Sequence, residues 1–176
     1  MGKSNPAVRE NVHIRWMIRR DLPDVLEVEN ASFDQPWREE DFLYCLRKQN
    51  CIGMVAEKED KVVAYMVYEL RKAHLRIVNL AVHLNHRRHG IGTKMAAKLA
   101  AKLDTHRRIY VDLVTRESNL PAQLFFRACD FRAVRVVRGC FGDTGEDGIR
   151  MEYRLASAPS VDHAAVTNRI AAHFRD

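Results

Sequence analysis

The stretch Asn79–Leu103, "NLAVHLNHRRHGIGTKMAAKLAAKL", constrains the chain most. An apolar run gives way to His and Arg, then to Gly-Ile-Gly, then to residues spaced for a helix. Ile91, Met95, Leu99 and Leu103 recur every fourth position with Ala96 and Ala100 beside them, and Lys94, Lys98 and Lys102 form the adjoining polar stripe. That pattern is an amphipathic helix lying on a sheet, from about Gly90 to Leu103. A helix start with two glycines and two arginines is a place to hold an anion. Its first N–H groups lack intrahelical partners and its dipole favours negative charge.

The flanking sequence builds a sheet around this unit. "VHIRWMIRR" (12–20) alternates Val12, Ile14, Trp16 and Ile18 and reads as a strand. Asp21 is placed to cap a helix with Pro23 in its first turn, and "REEDFLYCLRK" is a second helix, acidic at its start and basic at its end. "CIGMVAEK", "KVVAYMVYEL" and "HLRIVNLAV" read as strands, as do "RIYVDLV" (108–114), "FRAVRVVRGCF" and "IRMEYRL". "NLPAQLFFRAC" opens a helix at Asn119. The predicted order is β-α-α-β-β-β-α-β-α-β-β. It describes an α/β (α+β) fold whose mixed sheet is antiparallel and then parallel, with helices on both faces. Residues 1–11 read as a flexible start, 12–156 as the folded domain and 157–176 as a linker with a short helical tail.

Arg-x-x-Gly-x-Gly, with Gln allowed for Arg and Ala for the last Gly, arises by chance in roughly one chain in five of this length. Its place between a strand and a helix therefore carries the argument. No Gly-x-x-x-x-Gly-Lys-Ser/Thr exists, so a Walker loop is excluded. A dinucleotide fingerprint is the rival, with Asp112 lying 20 residues past Gly92. Against it, Met95 fills the third small position, and "HLNHRRH" separates strand from glycine where that fingerprint wants a tight turn.

The formal charge of +6 suits an anionic ligand, an acidic partner or RNA, and equally suits plain solubility. The lysine stripe and "HRR" (106–108) read as solvated faces rather than as a nucleic-acid surface. Cys45, Cys51, Cys129 and Cys140 show no CxxC spacing, which points to reduced thiols in a cytoplasmic protein. No apolar run approaches the ~20 residues of a membrane span. His83, His86 and His89 are spaced like metal ligands, but beside Arg87 and Arg88 they sit in a poor place for a cation, so no metal is expected.

The arrangement resembles the GNAT superfamily of acyl-CoA-dependent N-acetyltransferases, over roughly residues 12–155. "NLAVHLNHRRHGIG" is similar to the family's central strand and its pyrophosphate-binding Arg/Gln-x-x-Gly-x-Gly/Ala. "PWREEDF" (36–42), "TRESNLPAQLFFRACDF" and "EDGIRM" resemble, in order, segments of the branch that acetylates protein N-termini. The resemblance implies that acetyl-CoA is the cosubstrate. Backbone of Leu80, Ala81 and Val82 would pair with pantetheine, the loop of Arg87, Arg88, His89, Gly90, Ile91, Gly92 and Thr93 would cradle the pyrophosphate, and Asn119 would bond the pantetheine arm. It also implies an amine acceptor, foremost a protein or peptide N-terminus. The acceptor pocket would be lined from Phe33–Phe42 and Arg138–Asp147, where Glu146 and Asp147 offer contacts for a basic group.

Two positions depart from that branch. Its catalytic Glu corresponds to Val114 and its catalytic Tyr to Phe126. Asp112, two residues back on the same strand face, and His83 are the remaining candidate bases. The alternatives are a CoA-binding or RNA-binding module with little catalysis, and an acetyltransferase for small-molecule amines.

Overall fold

The computed structural model describes residues 11–104 and 107–155. The expected loose start (residue 11 apart) and the tail after 156 lie outside the described residues. The elements are β1 (His13–Trp16), α1 (Leu22–Asn30), α2 (Glu39–Leu46), β2 (Cys51–Lys58), β3 (Lys61–Leu70), β4 (His74–Val82), α3 (Ile91–Ala100), β5 (Tyr110–Arg116), α4 (Leu120–Ala128), β6 (Arg132–Phe141) and β7 (Glu146–Arg154). Their order is the one the periodicities give. They form one seven-stranded sheet, β1-β2-β3-β4-β5-β7-β6, in which β4 and β5 are the parallel pair.

Each face of the sheet carries its own core. Ile91, Met95 and Leu99 of α3 and Phe126 of α4 pack on Met66, Leu75, Val111 and Leu113. Leu22, Val25 and Val28 of α1 and Phe42 of α2 pack on Val55, Tyr65 and Val67 of the opposite face. At roughly 1.5–3 kcal/mol for each large apolar side chain fully buried, these two layers fix the register of β2, β3 and β4.

Several local expectations are corrected. β1 stops at Trp16 because Arg19–Asp21 form a 3-10 turn, and Trp16 and Ile18 are exposed rather than core. Asp21 does not cap α1. Its carboxylate accepts the Ile18 N–H at 2.8 Å and grips Arg15 at 2.7 and 2.9 Å, holding the turn against the sheet edge. The α3 helix ends at Ala100, three residues early, and β5 runs two residues further along than the apolar pattern suggests.

Candidate active site

The site begins where β4 and β5 part. They pair over His74–Tyr110, Leu75–Val111 and Arg76–Asp112 only, although β4 continues to Val82 and β5 to Arg116. On its other edge β4 stays paired with β3 as far as Val82, through a bulge beside Asn79. The following His83 N–H donates to Val63 O at 2.9 Å. Backbone groups alternate sides along a strand, so the Val82 N–H and C=O face the opened edge. Arg87 Nε takes the Val82 carbonyl at 2.9 Å while its Nη2 donates to Ser32 Oγ at 3.2 Å, which ties the loop to the end of α1.

A cleft of about 790 Å³ occupies this opening. It is lined by Leu80, Ala81 and Val82, by Arg87, Arg88 and Gly90–Thr93, and by Asn119 and the first two turns of α4. Gly90 is the N-cap of α3 with φ +79, a left-handed conformation that favours glycine, and no side chain caps the helix. Gly92 sits tightly: a Cβ there would come 3.0 Å from Phe125 Cζ, so the ring would have to shift. The first N–H groups of α3 therefore stay open to an anion in the cleft. Asn119 Oδ1 caps α4 by accepting the Ala122 N–H at 3.1 Å, which leaves its amide NH₂ as a donor on the cleft wall.

Three placements differ from the sequence reading. His89 does not line the cleft; the turn Leu84–His86 and the left-handed Arg88 (φ 68) bring His86 there instead. His83 is not a cleft residue either, since its Nδ1 accepts the Asn85 N–H at 3.3 Å within that turn. Asp112 is fully buried on the last paired rung. Arg76 binds it at 2.6 and 3.0 Å and Arg150 at 2.8 Å. Its lone pairs are committed to two guanidinium groups, so it is an ionic clasp between β4, β5 and β7 rather than a base.

Val114 and Phe126 are apolar side chains that can neither take up nor give a proton. Phe126 is buried edge-on to Phe131, with ring centres 5.2 Å apart. Val114 is 36 % exposed beside Gly148, where a Cβ would come within 2.5 Å of both Val114 and Cys140. The hairpin carboxylates expected to meet an acceptor are spent internally. Glu146 accepts the Ser118 N–H at 2.7 Å and pairs with Arg116 at 3.3 Å; Asp147 accepts the Gly139 N–H at 2.8 Å and pairs with Arg138. Both carboxyls are held below their ordinary range. For Glu146 the Ser118 contact dominates, and for Asp147 the Gly139 N–H.

Sequence reasoning missed a buried polar knot on the α1 side. Glu29, 1 % exposed, accepts the Trp37 N–H at 2.7 Å, the Tyr65 hydroxyl, and Asn79 Nδ2 at 3.3 Å. Burial and then the adjacent Glu29 charge push the Tyr65 hydroxyl well above its ordinary pKa, so it remains a donor. The knot joins the loop after α1 to the bulged part of β4. A lone Glu in an amphipathic helix gives no signal for this. Leu120 and Leu124, exposed yet lining the cleft, did leave one: apolar residues four apart beyond those the core needs.

Residues 15–131 match the Acetyltransferase (GNAT) family. The chain belongs to this family. It is an acetyl-CoA-dependent N-acetyltransferase. An uncharacterised N-acetyltransferase of Methanocaldococcus jannaschii is 30 % identical over 140 residues, covering 78 % of this chain and 88 % of that one. An N-alpha-acetyltransferase of Sulfolobus acidocaldarius is 26 % identical over 156 residues, covering 80 % and 91 %. The crystal structure of the ribosomal-protein-S18-alanine N-acetyltransferase from Escherichia coli superposes with a TM-score of 0.73 at 20 % identity, over 88 % of this chain and 99 % of that one, and shows the shared fold. Among the described residues no helix is long and apolar enough to cross a membrane, and no group of three or more His, Cys, Asp or Glu is arranged to hold a metal ion.

Proposed function

We propose that this GNAT enzyme acetylates the α-amine of a polypeptide N-terminus in the cytoplasm. The observation that carries the reading is the parting of β4 from β5 beside the uncapped start of α3. It joins an anion-binding helix end to a strand edge with free backbone groups. Leu80, Ala81 and Val82 would pair with the pantetheine arm, the N–H groups of Arg87, Arg88 and Gly90–Thr93 with the pyrophosphate, and Asn119 Nδ2 with a pantetheine carbonyl. The name of the archaeal relative supports the α-amine as acceptor.

The chemistry asks little of the side chains. Acetyl-CoA supplies the thioester. A neutral amine attacks its carbonyl carbon, the Val82 N–H stabilises the oxyanion, the C–S bond breaks, and the thiolate takes up the proton the amine releases. An α-amine has a pKa of about 8 and is partly neutral at pH 7, so Val114 and Phe126 do not forbid the reaction. The test is mass spectrometry on a peptide that carries both a free N-terminus and an internal lysine, incubated with the enzyme and acetyl-CoA. Acetyl on the α-amine is expected. Acetyl on the lysine alone, or turnover of small amines with none of the peptide, overturns the reading.

A further inference from the structure

Beyond the paired end of β4, among the described residues no helix lies over β5, β7 and β6 on the α1 face of the sheet, and its side chains are mostly charged. The registers set them in rungs. Val114 of β5 stands opposite Arg150 of β7, which stands opposite Arg135 of β6. The next rung, about 7 Å along the strands, holds Arg76, Asp112, Glu152 and Arg132. The third brings Arg154 over the Tyr110 ring at 4.7 Å.

The charges on this face do not balance. Asp112 is shared by Arg76 and Arg150, and Glu152 by Arg150 at 3.3 Å and Arg154 at 2.6 Å. The neighbouring Glu69 is taken by Arg71. Arg132 and Arg135 are exposed and make no ion pair among the described residues. Arg150 Nε and Arg154 Nη1 are buried N–H groups with no hydrogen-bond acceptor among the described residues. Five arginines thus face Asp112 and Glu152, starting on the rung of Val114 at the open edge. The carboxylates that would have favoured a basic acceptor are locked into the β6–β7 hairpin by Arg116, Arg138 and backbone N–H groups.

We infer that this arginine-lined sheet face binds the acceptor polypeptide through Asp or Glu side chains in its first several residues, so that the enzyme selects acidic N-terminal segments. The inference rests on the α-amine reading above. Guanidinium groups suit it because they hold carboxylates through paired, planar hydrogen bonds. The strand rungs present them at spacings that an extended peptide matches.

The test compares three peptides with one common first residue and with Asp/Glu, Asn/Gln or Lys at the following four positions, assayed with the full chain and saturating acetyl-CoA. The acidic peptide is expected to exceed the lysine peptide at least tenfold in kcat/KM, carried by KM and eroded by raising salt. The double variant Arg132→Glu, Arg135→Glu should reverse that order. The milder Arg135→Gln should shrink it, which keeps the test decisive if the double variant melts early. Equal turnover of all three peptides, or a preference that survives charge reversal, overturns the surface assignment alone. Turnover of none of them overturns the α-amine reading and this surface with it. Tight binding of an RNA hairpin that the double variant abolishes, with a flat peptide series, assigns the face to RNA and overturns the proposal.

Discussion

The two edges of β4 are built on opposite terms. Toward β3 the strand is paired from Leu75 to Val82, and the register is held by apolar side chains buried on both faces. Toward β5 it is paired for three rungs and then released. A closed edge needs only matching patterns on two strands. An open edge needs something that stops the pairing and something that satisfies the groups set free. Here the stop coincides with the Arg76–Asp112–Arg150 clasp. One freed carbonyl, that of Val82, is taken by Arg87. Stability rests on the paired edge, and the proposed chemistry uses the unpaired one.

The most damaging way to break that division is to remove the clasp. Asp112→Ala leaves Arg76 and Arg150, on neighbouring rungs, with no carboxylate between them. It should lower unfolding stability by about 3 kcal/mol, the lower end of the range for breaking a buried ion pair because the guanidinium groups are partly exposed. Urea denaturation measures it, and a loss under about 1 kcal/mol would show that the rung holds without its carboxylate. Asp112→Asn keeps the shape and two acceptor sites. If Asp112 were the base, this variant would abolish turnover in a folded enzyme; the clasp predicts a destabilised enzyme with an unaltered pH profile.

The open edge supplies N–H groups, and neither Val114 nor Phe126 offers a proton acceptor, which sets the next expectation. At pH 7 about one α-amine in ten is neutral, against fewer than one lysine side chain in a thousand. With matched peptides the α-amine should react roughly a hundredfold faster than lysine, and its rate should rise with pH until about 8. A lysine acceptor that outpaces the α-amine at pH 7 would require a base that neither Val114 nor Phe126 provides. A smaller effect probes the helix end. Gly92→Asp sets a carboxylate among the N–H groups proposed to hold the pyrophosphate and presses on Phe125. Calorimetry should find CoA affinity reduced at least tenfold, about 1.4 kcal/mol. Unchanged affinity in a folded variant would remove the loop from the cofactor site.

What was readable in the sequence follows the same division. The order of elements, the α3 stripe and the glycine loop are local patterns of period 2 or 3.6 with a turn signal between them, and they appear where the residues put them. The clasp and the Glu29 knot are made of residues far apart in the chain: Asp112 meets Arg76 and Arg150, and Glu29 meets Tyr65 and Asn79. No spacing rule marks a carboxylate whose partners arrive from other strands, so the sequence leaves Asp112 as a candidate base. Trp16 and Ile18 misled for a related reason. Alternation marks a strand but does not say whether a second layer covers the face it points to, and β1 is an edge strand.

The smallest expected effect separates two jobs of one side chain on the open side. Asn119 caps α4 with its oxygen and offers its nitrogen to the cleft. Asn119→Ala removes both functions. It should lower stability by about 1 kcal/mol through the lost cap and raise the KM for acetyl-CoA about fivefold through the lost donor. Asn119→Asp divides the two, because Asp caps as well as Asn while offering no N–H. Its thermal midpoint should match that of the native chain, and its KM should still rise. A normal KM in the Asp variant would mean that the side chain only starts the helix, and that the cleft wall beside α4 holds its ligand through backbone and apolar contacts alone.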